Sequence, residues 1–228
     1  MPRTLWSIRA SLRSIRSRAI SILGGTVQVE SAPKKTHPHS EETVSAQSGD
    51  LRCVIQSIRT GVAQLTSVSA KGAILGHGTG FLVRGGLVTN DHVLDEPGCQ
   101  TLRISFPDHE KNQTFELTRA ELEAAKLVRL PHRKTRVQGE RADLAFLKLN
   151  NDAFKDRYQF ELSPKMSLEP GSRVLYLGYP FGYKNLTAHL GYVSSVYHDE
   201  SYRATIIQID GSVNGGNSGG PLIDLETG

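Results

Sequence analysis

The chain has 228 residues, 38% of them hydrophobic and 7% aromatic, with a formal net charge of +4. That content is globular, and a domain of roughly 180 residues buries about 70% of its unfolded surface, a core that needs no disulfide staples. The excess charge sits in residues 1–29, where Arg3, Arg9, Arg13, Arg16 and Arg18 meet no acid, so the remainder is near neutral and gives no reason to expect nucleic-acid binding.

Leu5, Ile8, Leu12, Ile15, Ala19 and Ile22 recur at three- and four-residue steps, as on one face of a helix flanked by Arg9, Arg13 and Arg16. An arginine- and serine-rich start without acids fits an organellar transit peptide or a helix on an anionic membrane; the alternative is a disordered basic tail. No uninterrupted apolar run occurs there, which excludes a secretory signal and a transmembrane span. Residues 30–49, with Pro33, Pro38 and many Ser, Thr and Glu, read as a linker. Residues 1–50 are therefore expected to be leader and linker, and residues 51–228 one domain.

From Leu51 onward short β-rich runs alternate with turn signals, over 52–58, 62–68, 79–83, 87–89 and 102–106. Beyond a central loop they resume at 142–149, 173–177, 188–196, 204–209 and 221–224. Many short strands and few helical patterns predict an all-β barrel or sandwich. Residues 119–127 conflict with that pattern, being helix formers throughout, and predict a short inserted helix or a tertiary override. Just beyond, Arg129, His132, Arg133, Lys134, Arg136 and Arg141 read as a solvated basic loop. Cys53 and Cys99 are the only cysteines and read as two free thiols, the alternative being one bridge.

Three segments carry chemistry. In Leu87-Val88-Thr89-Asn90-Asp91-His92-Val93-Leu94 a histidine stands just past an apolar strand, in a short capped turn. In Arg141-Ala142-Asp143-Leu144-Ala145-Phe146 an aspartate stands at the mouth of a buried-looking strand. In Gly215-Gly216-Asn217-Ser218-Gly219-Gly220-Pro221-Leu222 a serine lies between glycines after the β-rich run 204–209. A serine is a weak nucleophile until a base takes its proton, and glycines let bare amides approach a substrate carbonyl. Base, orienting carboxylate and nucleophile are what acyl transfer needs. Taken singly, Ser218 is a serine in a glycine-rich turn, His92 a loop histidine and Asp143 a cap; Asp152 and Asp156 compete for the acid's role from a loop-like setting. Gly216-Asn217-Ser218-Gly219-Gly220 also satisfies the G-x-S-x-G pattern of α/β-hydrolases, but there the acid and histidine follow the serine, and no histidine follows Ser218.

These segments, with Gly78-Thr79-Gly80-Phe81-Leu82-Val83, Gly178-Tyr179-Pro180-Phe181-Gly182 and Gly191-Tyr192-Val193-Ser194, closely resemble trypsin-like serine proteases of the HtrA/DegP type, from Gly78 to Leu222. The resemblance implies two six-stranded β-barrels, with His92 and Asp143 from the first and Ser218 from the second. It implies a serine endopeptidase with His92, Asp143 and Ser218 catalytic and the backbone N–H groups of Gly216 and Ser218 as oxyanion hole. No cofactor or metal is called for. Trypsins activated by cleavage carry Asp at the position of Asn217, to pair with a new N-terminus; Asn cannot form that ion pair, so such activation is not expected.

Expected partners are a protein or peptide substrate, a membrane surface or import machinery meeting residues 1–29, and further copies of the chain. The thiols point to a reducing intracellular compartment, cytoplasmic or mitochondrial. The family pattern continues with two more strands after Glu226-Thr227-Gly228 and often a PDZ domain. The expectation is therefore of a second barrel incomplete at its C-terminal end with an open edge at 221–225, and of a second function class, a protease-derived binding or regulatory module with little activity.

Overall fold

The computed structural model describes residues 20–22, 48–108, 113–130, 143–149, 152, 154–163, 167–199 and 204–225. Helix α1 (Ser48–Ile58) leads, through a single 3-10 turn, into β2 (Val62–Ser69), β3 (Ile74–Val83) and β4 (Gly86–Thr89). One turn of helix, α2 (Asp91–Leu94), precedes β5 (Cys99–Ser105), β6 (Thr114–Thr118), α3 (Arg119–Ala125), β7 (Lys126–Leu130) and β8 (Leu144–Lys148). The second half holds β9 (Arg173–Gly178), β10 (Thr187–Asp199), β11 (Ala204–Ile209) and β12 (Pro221–Asp224). A short strand β1 (Ile20–Ile22) comes from the leader.

The all-β expectation holds. One sheet runs β6-β5-β2-β3-β4-β8-β7 and the other β1-β12-β9-β10-β11, every named pairing antiparallel. Among the described residues the two sheets hold seven and five strands, where the resemblance implied six and six. The two ends of the larger sheet, β6 and β7, are consecutive in the chain, and α3 packs against both and against β5 and β8. Its start carries a capping box: Thr118 Oγ1 accepts from the Glu121 N–H while the Glu121 carboxylate accepts from the Thr118 N–H. Leu122 drops from it, fully buried, into the core; of the helix or tertiary override expected at 119–127, the helix forms over Arg119–Ala125, and Lys126 and Leu127 open β7.

Period-two alternation sorts side chains into three cores. Along β2, Ala63 and Leu65 enter the interior of the larger sheet with Leu82, Leu87, Leu102, Ile104 and Leu147. Along β9, Val174 and Tyr176 enter the interior of the smaller sheet with Val193, Ile207, Ile209 and Leu222. The opposite faces meet each other: Val62, Phe81 and Val88 pack on Leu175, Leu177, Tyr179 and Ile223. Each such buried aliphatic side chain contributes about 1.5–3 kcal/mol, and this shared layer is what brings one barrel's loops to the other's.

Two sequence expectations need correction. Residues 52–58 were expected as strand and form the helix α1. Leu51, Val54, Ile55 and Ile58 stand at steps of three, four and seven and pack on the layer between the sheets, which is a helical stripe. The edge at 221–225 was expected to be open, but β12 has β9 on one side and β1 on the other, with Ser21 opposite Leu222. At Ile20–Ile22 the leader is therefore strand, not the last turn of the expected amphipathic helix. The rest of that helix, the linker up to residue 47, the basic residues beyond Arg129 and the turn at 226–228 lie outside the described residues.

Candidate active site

Strand β4 ends at Thr89, and the chain turns at once into α2. Val93 and Leu94 are buried beneath that turn, as is Asp91, and His92 is left facing outward with about a third of its side chain exposed. Gly78 lets the turn sit tightly on β3, because a Cβ there would lie 2.4 Å from Val93 Cγ1.

Asp143 stands at the mouth of β8 with φ +43°, a conformation side chains rarely adopt, and is 6% exposed. Its Oδ2 lies 2.6 Å from His92 Nδ1, and its Oδ1 accepts the His92 backbone N–H at 2.9 Å. Asn90 Nδ2 donates to the Asp143 carbonyl at 2.7 Å, locking the aspartate from behind. An ionised carboxylate only accepts, so the proton on this pair belongs to Nδ1, and Nε2 carries the ring's lone pair. Of the competing acids, Asp152 is exposed and Asp156 stands 3.9 Å from Arg157. The structure brings Asp143 to His92.

Ser218 reaches the same edge from the other sheet. Thr79 on β3 donates its backbone N–H to the Ser218 carbonyl at 2.8 Å. Gly219, at φ +84°, lies so close that a Cβ would meet the Thr79 carbonyl and Thr89 Oγ1, both at 2.2 Å, and the Asn90 nitrogen at 2.9 Å. The serine loop thus rests on the residues that open the turn carrying His92.

The amides of this loop are oriented by where their carbonyls go. In a trans peptide, C=O and N–H point opposite ways. The Gly215 carbonyl accepts from the Phe181 N–H at 2.7 Å, which turns the Gly216 N–H away from Phe181. The Asn217 carbonyl accepts from the Gly220 N–H at 3.0 Å, which turns the Ser218 N–H out of the loop. Gly216, at φ +101°, has no room for a side chain: a Cβ would lie 2.4 Å from the Tyr179 carbonyl. Asn217 is 1% exposed and tucked against Gly178, with neither side-chain amide atom hydrogen bonded among the described residues; the loop is held through its own backbone groups instead.

Sequence reasoning missed several supporting groups. Tyr179 is fully buried between the sheets, and its hydroxyl donates to Asp108 at 2.9 Å, an acid also paired with Arg59. Burial pushes this phenol well above its ordinary pKa, while Arg59 pulls the other way. Its sequence signal was an aromatic residue set between Gly178 and Pro180. Asn90 stands at the N-cap position of α2 but makes no side-chain cap bond and holds Asp143 instead.

A family model described as a trypsin-like peptidase domain matches residues 78–228. A probable periplasmic DegP-like serine endoprotease of Marinomonas sp. (strain MWYL1) is 32% identical over 154 residues, covering 65% of this chain and 27% of its own. Protease Do-like 1, chloroplastic, of Arabidopsis thaliana is 32% identical over 158 residues, covering 65% of this chain and 30% of its own. This chain therefore spans less than a third of the length of these two relatives. Among solved structures, the crystal structure of Deg5 superposes with a TM-score of 0.52 at 27% identity, over 78% of this chain and 81% of that one.

The expectation of a reducing compartment, cytoplasmic or mitochondrial, is corrected: the relatives are named periplasmic, chloroplastic and mitochondrial, a mixed set that does not point to the cytoplasm. Of the two thiols behind that expectation, Cys53 is exposed but Cys99 is 3% exposed in β5, and burial shields a thiol whatever the compartment.

Proposed function

Because the chain belongs to the trypsin-like peptidase family, with relatives among the HtrA/DegP serine endoproteases, we propose that it is itself a serine endopeptidase acting through Ser218, His92 and Asp143. The observation that carries this reading is the double hold of Asp143 on His92, which leaves Nε2 as a base at the edge where the Ser218 loop rests.

In the proposed cycle Ser218 Oγ attacks the scissile carbonyl carbon as His92 Nε2 takes its proton. Asp143 stabilises the resulting imidazolium without itself accepting the proton. The negative charge that builds on the carbonyl oxygen is met by the N–H groups of Gly216 and Ser218, whose directions are set by the bonds to Phe181 and Gly220. Collapse breaks the C–N bond, and the proton held by His92 goes to the leaving amine. Water then attacks the acyl-enzyme with His92 as base, freeing the acid product and Ser218. The substrate class is protein or peptide.

The proposed domain takes in α1 from Ser48, which packs on the layer between the sheets, and the strand β1 that pairs with β12. The test of function is hydrolysis of fluorescein-labelled casein by the 228-residue chain and by Ser218→Ala. Hydrolysis by the former that vanishes in the latter supports the proposal. Equal hydrolysis by both overturns Ser218 as the nucleophile, and none by either argues for a protease-derived binding module.

A further inference from the structure

A buried hydroxyl reaches the Ser218 loop from the opposite sheet. Thr79 is fully buried on β3 between Gly78 and Gly80, where a polar side chain destabilises the fold unless it is hydrogen bonded. Every polar atom of the residue is engaged. Its N–H donates to the Ser218 carbonyl at 2.8 Å, and its carbonyl accepts from Thr89 Oγ1 at 2.7 Å. Its own Oγ1 accepts the Tyr179 N–H at 3.0 Å and donates to the Gly216 carbonyl at 2.7 Å. A hydroxyl has one proton, and because an N–H from Tyr179 can only donate, that proton is committed to Gly216.

From this geometry we infer that Thr79 is a positioning residue for the oxyanion loop, clamping Gly216 and Ser218 to the rigid sheet that carries His92. The inference rests on the assignment of Gly216 and Ser218 as oxyanion donors. Two peptide planes meet at Gly216. The first is anchored through the Gly215 carbonyl on Phe181, and the second through the Gly216 carbonyl on Thr79. Asn217 N–H also bonds Asn214 within the loop, but that bond moves with the loop and ties it to nothing outside. A glycine at φ +101° has no side chain to restrict it, so release of the second plane lets its Cα, and the N–H upon it, drift. Oxyanion donors act only within about 2.7–3.1 Å of the developing charge.

The test compares Thr79→Val, which keeps shape and removes the hydroxyl, with Thr79→Ser, which keeps the hydroxyl, in the full chain. Thr79→Val is expected to lower kcat on labelled casein about 10²-fold, the scale of a lost oxyanion donor. KM should stay within about threefold, since substrate binding does not use this hydroxyl, and Thr79→Ser should restore kcat to within about threefold. Amide hydrogen exchange in peptides covering 214–218 should quicken in Thr79→Val and not in Thr79→Ser, with β2 and β3 unchanged. Should Thr79→Val fail to fold, Thr79→Cys, with a thiol that donates feebly, takes its place with the same expectations. Unchanged kcat in the variant lacking the hydroxyl, or equal losses in both variants, overturns the inference. If native hydrolysis does not depend on Ser218, the proposed activity falls, and the exchange measurement still decides the clamp: unchanged exchange at 214–218 overturns it.

Discussion

Asp143 grips His92 at two points, its Oδ2 2.6 Å from Nδ1 and its Oδ1 2.9 Å from the backbone nitrogen. One carboxylate thus sets both the tautomer of the ring and the place of the turn that carries it. Asp143→Asn presents an amide that can turn its NH2 toward Nδ1, and the proton then moves to Nε2, where it blocks the base. We expect kcat on casein to fall about 10⁴-fold with the fold intact, as judged by circular dichroism. Asp152→Asn, at an exposed site, should leave kcat within about twofold.

Gly219 and Gly72 share a positive φ, +84° and +79°, but not their surroundings. A Cβ at Gly219 meets the Thr79 carbonyl and Thr89 Oγ1 at 2.2 Å, whereas nothing lies within 4 Å of one at Gly72. Gly72→Ala should cost only the backbone strain, about 1 kcal/mol in urea unfolding. Gly219→Ala adds a clash with backbone that cannot yield and should cost at least about 3 kcal/mol or prevent folding.

The pairing of β1 with β12 makes the leader part of the smaller sheet. Ser21→Pro removes a strand N–H opposite Leu222 and cannot sit in a regular ladder. Hydrogen exchange should quicken at the β12 amides directed toward β1, while those paired with β9 stay protected. Unaltered exchange throughout β12 would show that the pairing adds nothing in solution.

Much of this arrangement was legible in the sequence because it rests on local patterns. Short β-rich runs set between turn signals betrayed β2, β9 and β12, and the glycines around Ser218 betrayed a tight turn. The stripe of Leu51, Val54, Ile55 and Ile58 was equally local but lies among residues that also suit strands, and a seven-residue run supports either period. The short strand β6 escaped notice because it is polar and half exposed, so its pattern is weak. What could not be read were long-range polar partnerships. Nothing near Tyr179 announces that its hydroxyl meets Asp108, or that its N–H meets Thr79, 100 residues away. Hydrophobic periodicity reports which face is buried; the partner of a buried hydroxyl is decided by topology.

Two buried tyrosines and one half-buried set an alkaline limit. Burial raises the phenols of Tyr158, Tyr176 and Tyr179, that of Tyr176 to about 12, with Glu161 and Asp210 adding to the first two and Arg59 opposing the third. The unfolded phenol titrates near 10, so the folded chain binds more protons above that pH, and stability falls as pH rises through 10. Below 10 these groups are neutral in both states and contribute no slope. Urea midpoints should be flat across pH 8–9 and drop steeply between pH 10 and 11, and Tyr176→Phe should lessen that drop. Midpoints that stay level from pH 9 to 11 would mean these hydroxyls are not sheltered.

The central claim is that Ser218 is a nucleophile made reactive by His92. Its most direct measurement is mass spectrometry of the full chain after treatment with a fluorophosphonate, which reacts only with an activated serine. The account predicts one adduct, on the peptide containing Ser218, formed at least about 10²-fold more slowly in His92→Ala. An adduct on another residue, no adduct at all, or labelling of Ser218 at the same rate without His92 would contradict it.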